Sequence, residues 1–305
     1  MRAPAISGER YITRDGLHLG LAQWQAEEPR AIIVALHGMS DYSNAFAEPA
    51  PFWAERGIAT YAYDQRGFGR SPNRGLWAGS EILRRDLVDF TKIVRARHPG
   101  IPVFVLGESM GGAVALSAFG SETPPHAAGL VLVAPAVWGW QTLPFFYRLA
   151  LTTSAYIAPW WQFTGGGLDI WPSDNIEMLR AFSADPLVIK STRTDVIYGL
   201  VTLMDEGLTA VADVKGLPML FLYGGNDQIV PREATDTALS ELAGDATVTF
   251  YPEGYHMLLR DLDGEQRWAD IADWIDEAAL KRVPFAGRLP GLLNGAEKRS
   301  YNRSQ

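Results

Sequence analysis

The chain has 305 residues, of which 47% are hydrophobic and 20% are charged, and its formal net charge at pH 7 is −8. This composition is typical of soluble globular proteins and excludes a disordered or fibrous chain. The basic residues are scattered and cysteine is absent, so the sequence predicts no nucleic-acid partner, no disulfide and no thiol nucleophile.

Two stretches bear on the location of the protein. Residues 1–8 lack the apolar region of a secretory signal. The stretch most similar to a membrane span, residues 143–163, contains Arg148 and two prolines, whereas a spanning helix needs about 20 predominantly apolar residues. We therefore expect a cytoplasmic protein without stable membrane insertion.

The predicted elements begin with strands and continue with strands that alternate with helices. A hairpin is predicted around the turn Asp15-Gly16. Continuous apolar runs, which are typical of strands buried on both faces, lie at 31–36, 58–63, 102–106, 129–133, 218–223 and 247–251. Helices are predicted at 82–97, 110–119, 233–242 and 267–280. This alternation predicts an α/β fold with a mostly parallel central sheet flanked by helices.

Residues 138–215 interrupt the alternation, because no buried strand is predicted there and five of the ten tryptophans fall within it. We interpret this segment as a helical cap inserted between core strands, above the sheet edge where ligands bind in such folds. The predicted organisation is therefore a first core part at 1–137, the cap at 138–215, a second core part at 216–282 and a C-terminal tail at 283–305.

The aromatic residues of the cap suggest an apolar substrate pocket. Trp138, Trp160 and Trp161, together with Gly38 of the core, are the residues predicted to contact substrate. Two alternatives stay open for the tryptophans: they could form the core of the cap itself, or the exposed ones could make transient contact with lipid surfaces.

The sharpest motif is the sequence Gly-Glu-Ser-Met-Gly-Gly at 107–112, which follows a predicted buried strand and precedes a helix of small residues. This context is that of a nucleophile elbow, in which a strained turn exposes a serine hydroxyl above the sheet. The glycines are needed because side chains there would collide with the neighbouring strand and helix. Ser109 is thus the predicted nucleophile.

A serine nucleophile requires a base, and the base requires an orienting acid. His256 is the one histidine after Ser109 that follows a predicted strand, so it is the predicted base. Asp227 lies at a strand end before that histidine and is the predicted acid. The competing carboxylates are less suitable, since Asp205 and Asp213 fall in or near the segment 138–215, and Asp261 and Asp263 come after the histidine.

The reaction also needs backbone N–H groups that stabilise the oxyanion, each worth roughly 10²–10³ in rate. Met110, directly after the nucleophile, is one predicted donor. Met39, in the loop after the strand at 31–36, is the other, and Gly38 lets that loop turn. His37 is interpreted as a brace of this loop.

These motifs resemble the monoacylglycerol lipase/lysophospholipase branch of the α/β-hydrolases. The resemblance rests on HGMSDYS at 37–43, YDQRGFGRS at 63–71, the elbow at 107–112, YGGNDQIV at 223–230 and EGYH at 253–256. It implies the α/β-hydrolase fold, a triad at Ser109, Asp227 and His256, oxyanion donors at Met39 and Met110, and hydrolysis of single-chain acyl esters under a mobile apolar cap. Glu108 departs from the pattern, since many members carry histidine there.

We therefore expect a serine carboxylic-ester hydrolase that works through an acyl-enzyme, without a metal or organic cofactor, on a small apolar ester. An amidase or peptidase using the same triad is an alternative, and a non-catalytic ligand-binding protein of this fold is another. An elbow serine argues against the dehalogenases and epoxide hydrolases, which carry aspartate there. The sequence makes no prediction about oligomeric state.

Overall fold

The computed structural model describes residues 3–140, 143–164, 169–242 and 246–282. The predicted C-terminal tail, 283–305, lies outside these residues. Within them the strands are β1 (Ala5–Ser7), β2 (Arg10–Ile12), β3 (His18–Trp24), β4 (Ala31–Leu36), β5 (Ile58–Tyr63), β6 (Val103–Glu108), β7 (Gly129–Val133), β8 (Gln162–Thr164), β9 (Ser191–Arg193), β10 (Met219–Gly224) and β11 (Ala246–Tyr251). The helices are α1 (Pro49–Glu55), α2 (Ser80–Arg97), α3 (Met110–Phe119), α4 (Phe145–Ile157), α5 (Ile176–Ala184), α6 (Thr194–Ala210), α7 (Arg232–Glu241) and α8 (Gly264–Arg282).

Nine of the described strands form one sheet in the order β1-β2-β3-β5-β4-β6-β7-β10-β11. The first three are antiparallel, and the predicted hairpin is confirmed by the pairing of Ile12 with His18. From β5 to β11 the strands run parallel, so their carboxyl ends meet at one edge of the sheet. The loops after β4, β6, β10 and β11 therefore converge there.

The core lies on both faces of the parallel strands. Successive side chains of a strand point to opposite faces, and in β4 Ile32 joins one apolar cluster while Ile33 joins the other. Helices α2 and α3 cover the first face, and α1 and α8 cover the second. This two-sided burial is the reason why these strands read as continuous apolar runs.

The expectation of burial on both faces is wrong for β11. Val248 is 48% exposed and Phe250 is 45% exposed, because β11 is the last strand of the sheet and pairs only with β10. The short elements β1, β8, β9 and α1 have no counterpart among the elements predicted from the sequence.

Between β7 and β10 the chain forms α4, α5, α6 and the strand pair β8-β9. Helix α6 packs closely on α3: a Cβ added to Gly207 would lie 3.1 Å from the carbonyl oxygen of Ala113. Helix α4, in contrast, has no buried residue. In the part of the chain described above, no helix combines the length and the apolar character that crossing a bilayer requires.

Candidate active site

Ser109 lies between β6 and α3 in a strained backbone conformation, with φ 51° and ψ −116°. Such a conformation costs on the order of 1–3 kcal/mol and persists only where the surroundings hold it. Its N–H donates to the carbonyl of Val133 at 3.0 Å, and its carbonyl accepts the N–H groups of Gly112 and Ala136, each at 2.9 Å. These bonds fix the serine at the carboxyl edge of the sheet, as the elbow motif predicts.

The glycines around Ser109 are required by close packing. A Cβ added to Gly107 would lie 2.5 Å from the carbonyl oxygen of Gly111, and one added to Gly111 would lie 2.3 Å from the carbonyl oxygen of Leu36. Real contacts of a Cβ are not this short. A side chain at either position would therefore push the neighbouring backbone away, and only glycine permits the observed approach.

The structure brings the three predicted triad residues together. His256 Nε2 lies 2.9 Å from Ser109 Oγ, and His256 Nδ1 lies 2.8 Å from Asp227 Oδ2. Both the imidazole and the carboxylate are buried. Asp227 Oδ1 accepts the N–H groups of Ile229 and Val230 at 2.8 and 3.0 Å. Since the ionised carboxylate can only accept, the imidazole carries its proton on Nδ1 and offers Nε2 to the serine.

The loops that carry the acid and the histidine are joined by their backbones. Gly225 donates its N–H to the carbonyl of Tyr251, and Asn226 donates its N–H to the carbonyl of Gly254, each at 2.8 Å. A Cβ on Gly224 would lie 2.4 Å from the carbonyl oxygen of Gly254. This close approach explains the glycines that precede Asp227 in the sequence.

The two predicted oxyanion donors flank the nucleophile. Met110 is the first residue of α3, where the helix leaves the backbone N–H without an intrahelical partner. A Cβ added to Gly38 would lie 3.3 Å from Ser109 Cβ and 3.8 Å from its Oγ, so the backbone leading into Met39 runs beside the serine. Their role as donors stays a prediction.

His37 braces this loop, as interpreted from the sequence. Its Nδ1 lies 2.8 Å from the carbonyl oxygen of Gly38, and its Nε2 accepts the backbone N–H of Gln65 at 2.9 Å. The side chain of Gln65 in turn donates to the carbonyl of His37 at 2.9 Å. Complete burial lowers the pKa of His37, which keeps the ring neutral and able to accept.

Sequence reasoning missed a cluster of buried charges next to the triad. Arg260 lies 2.8 Å from Asp41 Oδ2 and 3.5 Å from Glu108 Oε2, and all three side chains are buried. Burial raises the pKa of Glu108. Burial alone would lower the pKa of Arg260, but the carboxylates of Asp41 and Glu108 outweigh it and raise that pKa. The cluster links the loop after β4, the elbow and the segment after His256.

The predicted substrate-contacting tryptophans lie in different surroundings. Trp138 is half-buried against the core. Trp160 and Trp161 are each 64% exposed, and Trp161 lines an open apolar groove of about 370 Å³ along α4. Their contact with substrate stays a prediction, and for Trp161 it concerns an open groove instead of an enclosed pocket.

A family model described as serine aminopeptidase, S33, matches residues 27–263. Among curated proteins, the chain is 28% identical to the human monoglyceride lipase, over 82% of this chain and 84% of that protein. It is 30% identical to a putative monoglyceride lipase of Schizosaccharomyces pombe, over 82% of this chain and 68% of that protein.

Solved structures share the architecture. The monoacylglycerol lipase of Paleococcus ferrophilus superposes with a TM-score of 0.71 at 23% identity, covering 85% of this chain and 99% of the other. A soluble variant of the Saccharomyces cerevisiae monoglyceride lipase, in complex with a substrate analogue, gives a TM-score of 0.75 at 20% identity, covering 91% and 96%. At these identities the likeness shows the fold.

Proposed function

The chain belongs to the serine aminopeptidase S33 family and has the α/β-hydrolase fold, and we propose that it hydrolyses carboxylic esters of single acyl chains. Ser109 is the nucleophile, His256 the base and Asp227 the orienting acid. The observation that carries the proposal is the continuous series of hydrogen bonds from Ser109 Oγ through the imidazole to the Asp227 carboxylate. This series joins residues from three separate loops at the carboxyl edge of the sheet.

The first half of the reaction forms an acyl-enzyme. His256 Nε2 takes the proton of Ser109 as Oγ attacks the ester carbonyl carbon. The carbonyl oxygen becomes an oxyanion and accepts hydrogen bonds from the N–H groups of Met39 and Met110. As the tetrahedral intermediate collapses, the protonated imidazole gives its proton to the leaving alkoxide, and the alcohol departs. Asp227 stabilises the imidazolium during this step.

The second half regenerates the enzyme. A water molecule takes the place of the alcohol, and His256 Nε2 removes its proton as its oxygen attacks the acyl carbon. Collapse of the second tetrahedral intermediate breaks the bond to Ser109 Oγ, which recovers the proton from the imidazolium. The carboxylic acid is released.

The substrate class follows from the relatives and from the cap. Curated relatives that align with most of the chain are named monoglyceride lipases, which act on esters carrying a single acyl chain. The groove lined by Phe146, Leu149, Ile157 and Trp161 is almost entirely apolar, which suits a hydrocarbon chain.

Amide hydrolysis is the alternative, because the family description names an aminopeptidase. An aminopeptidase has to hold a positively charged amino terminus near the nucleophile, and a carboxylate without a cationic partner is the group best suited to this. Of the two buried carboxylates next to the site, Asp41 lies 2.8 Å from Arg260 and Glu108 lies 3.5 Å from the same guanidinium. Burial raises the pKa of Glu108, which disfavours the charged form that would hold a cationic amino terminus. These surroundings favour the neutral ester over the charged peptide.

We propose in addition that the outer part of the cap contacts lipid surfaces. Phe146 is 80% exposed on α4, and its exposed apolar neighbours are Phe145, Tyr147, Leu149, Ile157, Trp160, Trp161 and Phe163. Exposed apolar surface of this extent marks an interaction site. Because long-chain monoacyl esters partition into lipid phases, a lipid surface is the partner that the proposed reaction requires.

A substrate panel tests the proposed reaction. It contains p-nitrophenyl esters and monoacylglycerols of graded chain length, together with aminoacyl-arylamides. We expect turnover of the esters and a loss on the order of 10³-fold or more in Ser109→Ala. The matched control is Ser117→Ala, which removes a buried hydroxyl of α3 that bonds only to its own helix. Near wild-type turnover in Ser109→Ala, or labelling by a fluorophosphonate probe outside the peptide containing Ser109, would refute the assignment.

Co-sedimentation with phosphatidylcholine vesicles tests the lipid contact. Phe146→Ser should weaken binding by roughly ten- to a hundredfold, because one buried aromatic side chain contributes on the order of 1.5–3 kcal/mol. The control is Leu262→Ser, which removes an apolar side chain that is 71% exposed outside the cap. Equal binding of both variants would contradict the proposal.

A further inference from the structure

Residues 171–189 of the cap, called the strap here, run across two loops of the catalytic site. The strap consists of α5 and the extended segments on either side of it. Its first end contacts the histidine loop, residues 255–262. Its second end contacts the oxyanion loop, residues 38–42.

At the histidine loop, buried polar groups make the connection. The N–H of Met257, next to His256, donates to the carbonyl of Pro172 at 2.8 Å. The hydroxyl of Ser173 donates to Asp261 Oδ1 at 2.7 Å, and Asp261 Oδ2 accepts the N–H of Tyr255 at 2.8 Å. Both residues that flank the catalytic histidine are therefore held by the strap, one directly and one through Asp261.

Further bonds extend this contact beyond the histidine. Leu262 donates its N–H to Asp174 Oδ1 at 2.9 Å, and the Asn175 side chain donates to the carbonyl of Arg260 at 3.2 Å. Asn175 Oδ1 also caps α5 by accepting the N–H of Met178 at 3.1 Å. The start of α5 and the histidine loop thus share one hydrogen-bonded network.

At the oxyanion loop, the strap holds a strained residue. Ser40, which follows Met39, has φ 68°, and its carbonyl accepts the N–H of Ile189 at 2.9 Å. Two residues further on, the hydroxyl of Tyr42 donates to Asp185 Oδ2 at 2.7 Å. A non-glycine residue at this φ persists only where its surroundings fix it, and the strap supplies part of that fixation.

The middle of the strap covers the ion pair between the two loops. The guanidinium carbon of Arg260 lies 5.5 Å from the centre of the Phe182 ring on α5. Arg260 also forms an ion pair with Asp41 of the oxyanion loop. The two loops are thus connected through the strap and by this ion pair.

We propose that the strap is a positioning element of the reaction: through Ser173 and Asp261 at one end and Asp185 and Tyr42 at the other, it holds His256 and the Met39 N–H in register with Ser109. The inference rests on the proposed function. It separates the strap from α4, which belongs to the same cap but has no buried residue.

The test uses two substitutions that each remove one hydroxyl group, Ser173→Ala and Tyr42→Phe. Steady-state kinetics are measured on p-nitrophenyl butyrate, and every rate is divided by the concentration of active sites titrated with a fluorophosphonate. We expect kcat per active site to fall about tenfold in each variant while KM stays within twofold, and the rate constant of phosphonylation to fall in parallel. Ser173→Thr, which keeps the hydroxyl, should recover most of the loss.

Matched controls come from outside the cap. Ser117→Ala removes a buried hydroxyl that bonds within α3, and Tyr61→Phe removes a partly buried hydroxyl that lies 2.8 Å from His98 Nε2; both should keep the wild-type kcat. If Ser173→Ala does not fold, Tyr42→Phe carries the test, since it deletes only one partly buried hydroxyl. The proposal is overturned if the strap variants lower only the melting temperature or the titratable fraction and keep kcat per site. That result would leave the Ser109→Ala outcome, and with it the proposed function, untouched.

Discussion

The hydrogen bonds around Asp227 predict the outcome of replacing it with asparagine. Oδ1 accepts two backbone N–H groups, from Ile229 and Val230, so this position has to remain an acceptor. The carboxamide of Asp227→Asn therefore places its oxygen there and its NH₂ group opposite His256 Nδ1. Since two donors cannot face each other, the imidazole has to adopt the other tautomer, with the proton on Nε2. In that form it cannot accept the proton of Ser109.

The expected size of this effect is large. Replacement of the orienting acid by its amide in a serine triad lowers kcat on the order of 10⁴-fold, which corresponds to about 5 kcal/mol at about 1.36 kcal/mol per factor of ten. The measurement is kcat on p-nitrophenyl butyrate at neutral pH. Nitrogen-15 NMR of labelled histidine supplies the second readout, because it distinguishes an Nδ1–H imidazole from an Nε2–H one.

The thermal unfolding midpoint of Asp227→Asn is the control, and it should lie close to that of the wild type, since the substitution preserves shape and the two backbone bonds. A kcat within tenfold of the wild type would refute the reasoning. So would an imidazole of His256 that keeps its proton on Nδ1 in the variant, because the predicted loss depends on the change of tautomer.

Three further predictions concern stability. Gly111→Ala places a Cβ 2.3 Å from the carbonyl oxygen of Leu36 and should lower the free energy of unfolding in urea by about 3 kcal/mol or more; an unchanged midpoint would contradict the packing argument. Burial lowers the pKa of His37, so below about pH 6.5 the unfolded chain binds a proton that the folded chain does not bind. The free energy of unfolding therefore decreases as the pH falls. In His37→Gln the decrease measured between about pH 7 and pH 5 should be shallower. Burial raises the pKa of Glu108 above 4.5, so the folded state binds a proton that the unfolded chain has already lost, and stability falls as the pH rises from about 4.5 towards the folded pKa. Glu108→Gln should therefore gain stability relative to the wild type as the pH rises above about 4.5, and a constant difference would count against this.

The parallel part of the sheet could be predicted because burial of a strand determines the residue types within that strand itself. A strand buried on both faces has to be apolar at every position, and this pattern predicted β4, β5, β7 and β10 to within one residue. The same pattern failed for the burial of β11. Its residues are apolar enough for the interior, but the order of strands in the sheet, which leaves β11 at an edge, is not encoded in any one segment.

The meeting of Ser109, Asp227 and His256 could be predicted because the close approach of their loops constrains the chain next to each residue. Ser109 needs glycines that let Leu36 and the elbow approach, and Asp227 needs the glycines that let its loop meet the histidine loop. These requirements place glycines at the strand ends, where they are visible in the sequence. The positions, together with their order along the chain, sufficed to select Asp227 among the carboxylates.

The surroundings of the triad could not be predicted in this way. Asp261 follows the histidine, which argues against it as the acid, and nothing in its neighbourhood in the sequence shows that it is buried. Its partner, Ser173, lies 88 residues away. Arg260 and Asp41 are likewise joined only by the fold. Polar residues whose partners are distant in sequence have no local pattern, and a single sequence therefore offers no signal that distinguishes them from surface residues.

The different character of the two parts of the cap has a consequence for how variation acts on this enzyme. Helix α4 has no fully buried residue, so substitutions there alter the surface proposed to meet acyl chains and lipid, and they should leave the atoms of the reaction in place. Substitutions in the strap act through hydrogen bonds to the residues beside His256 and Met39. Effects on KM and on chain-length preference should therefore concentrate in α4, and effects on kcat in residues 171–189, although both segments lie in one insertion between β7 and β10.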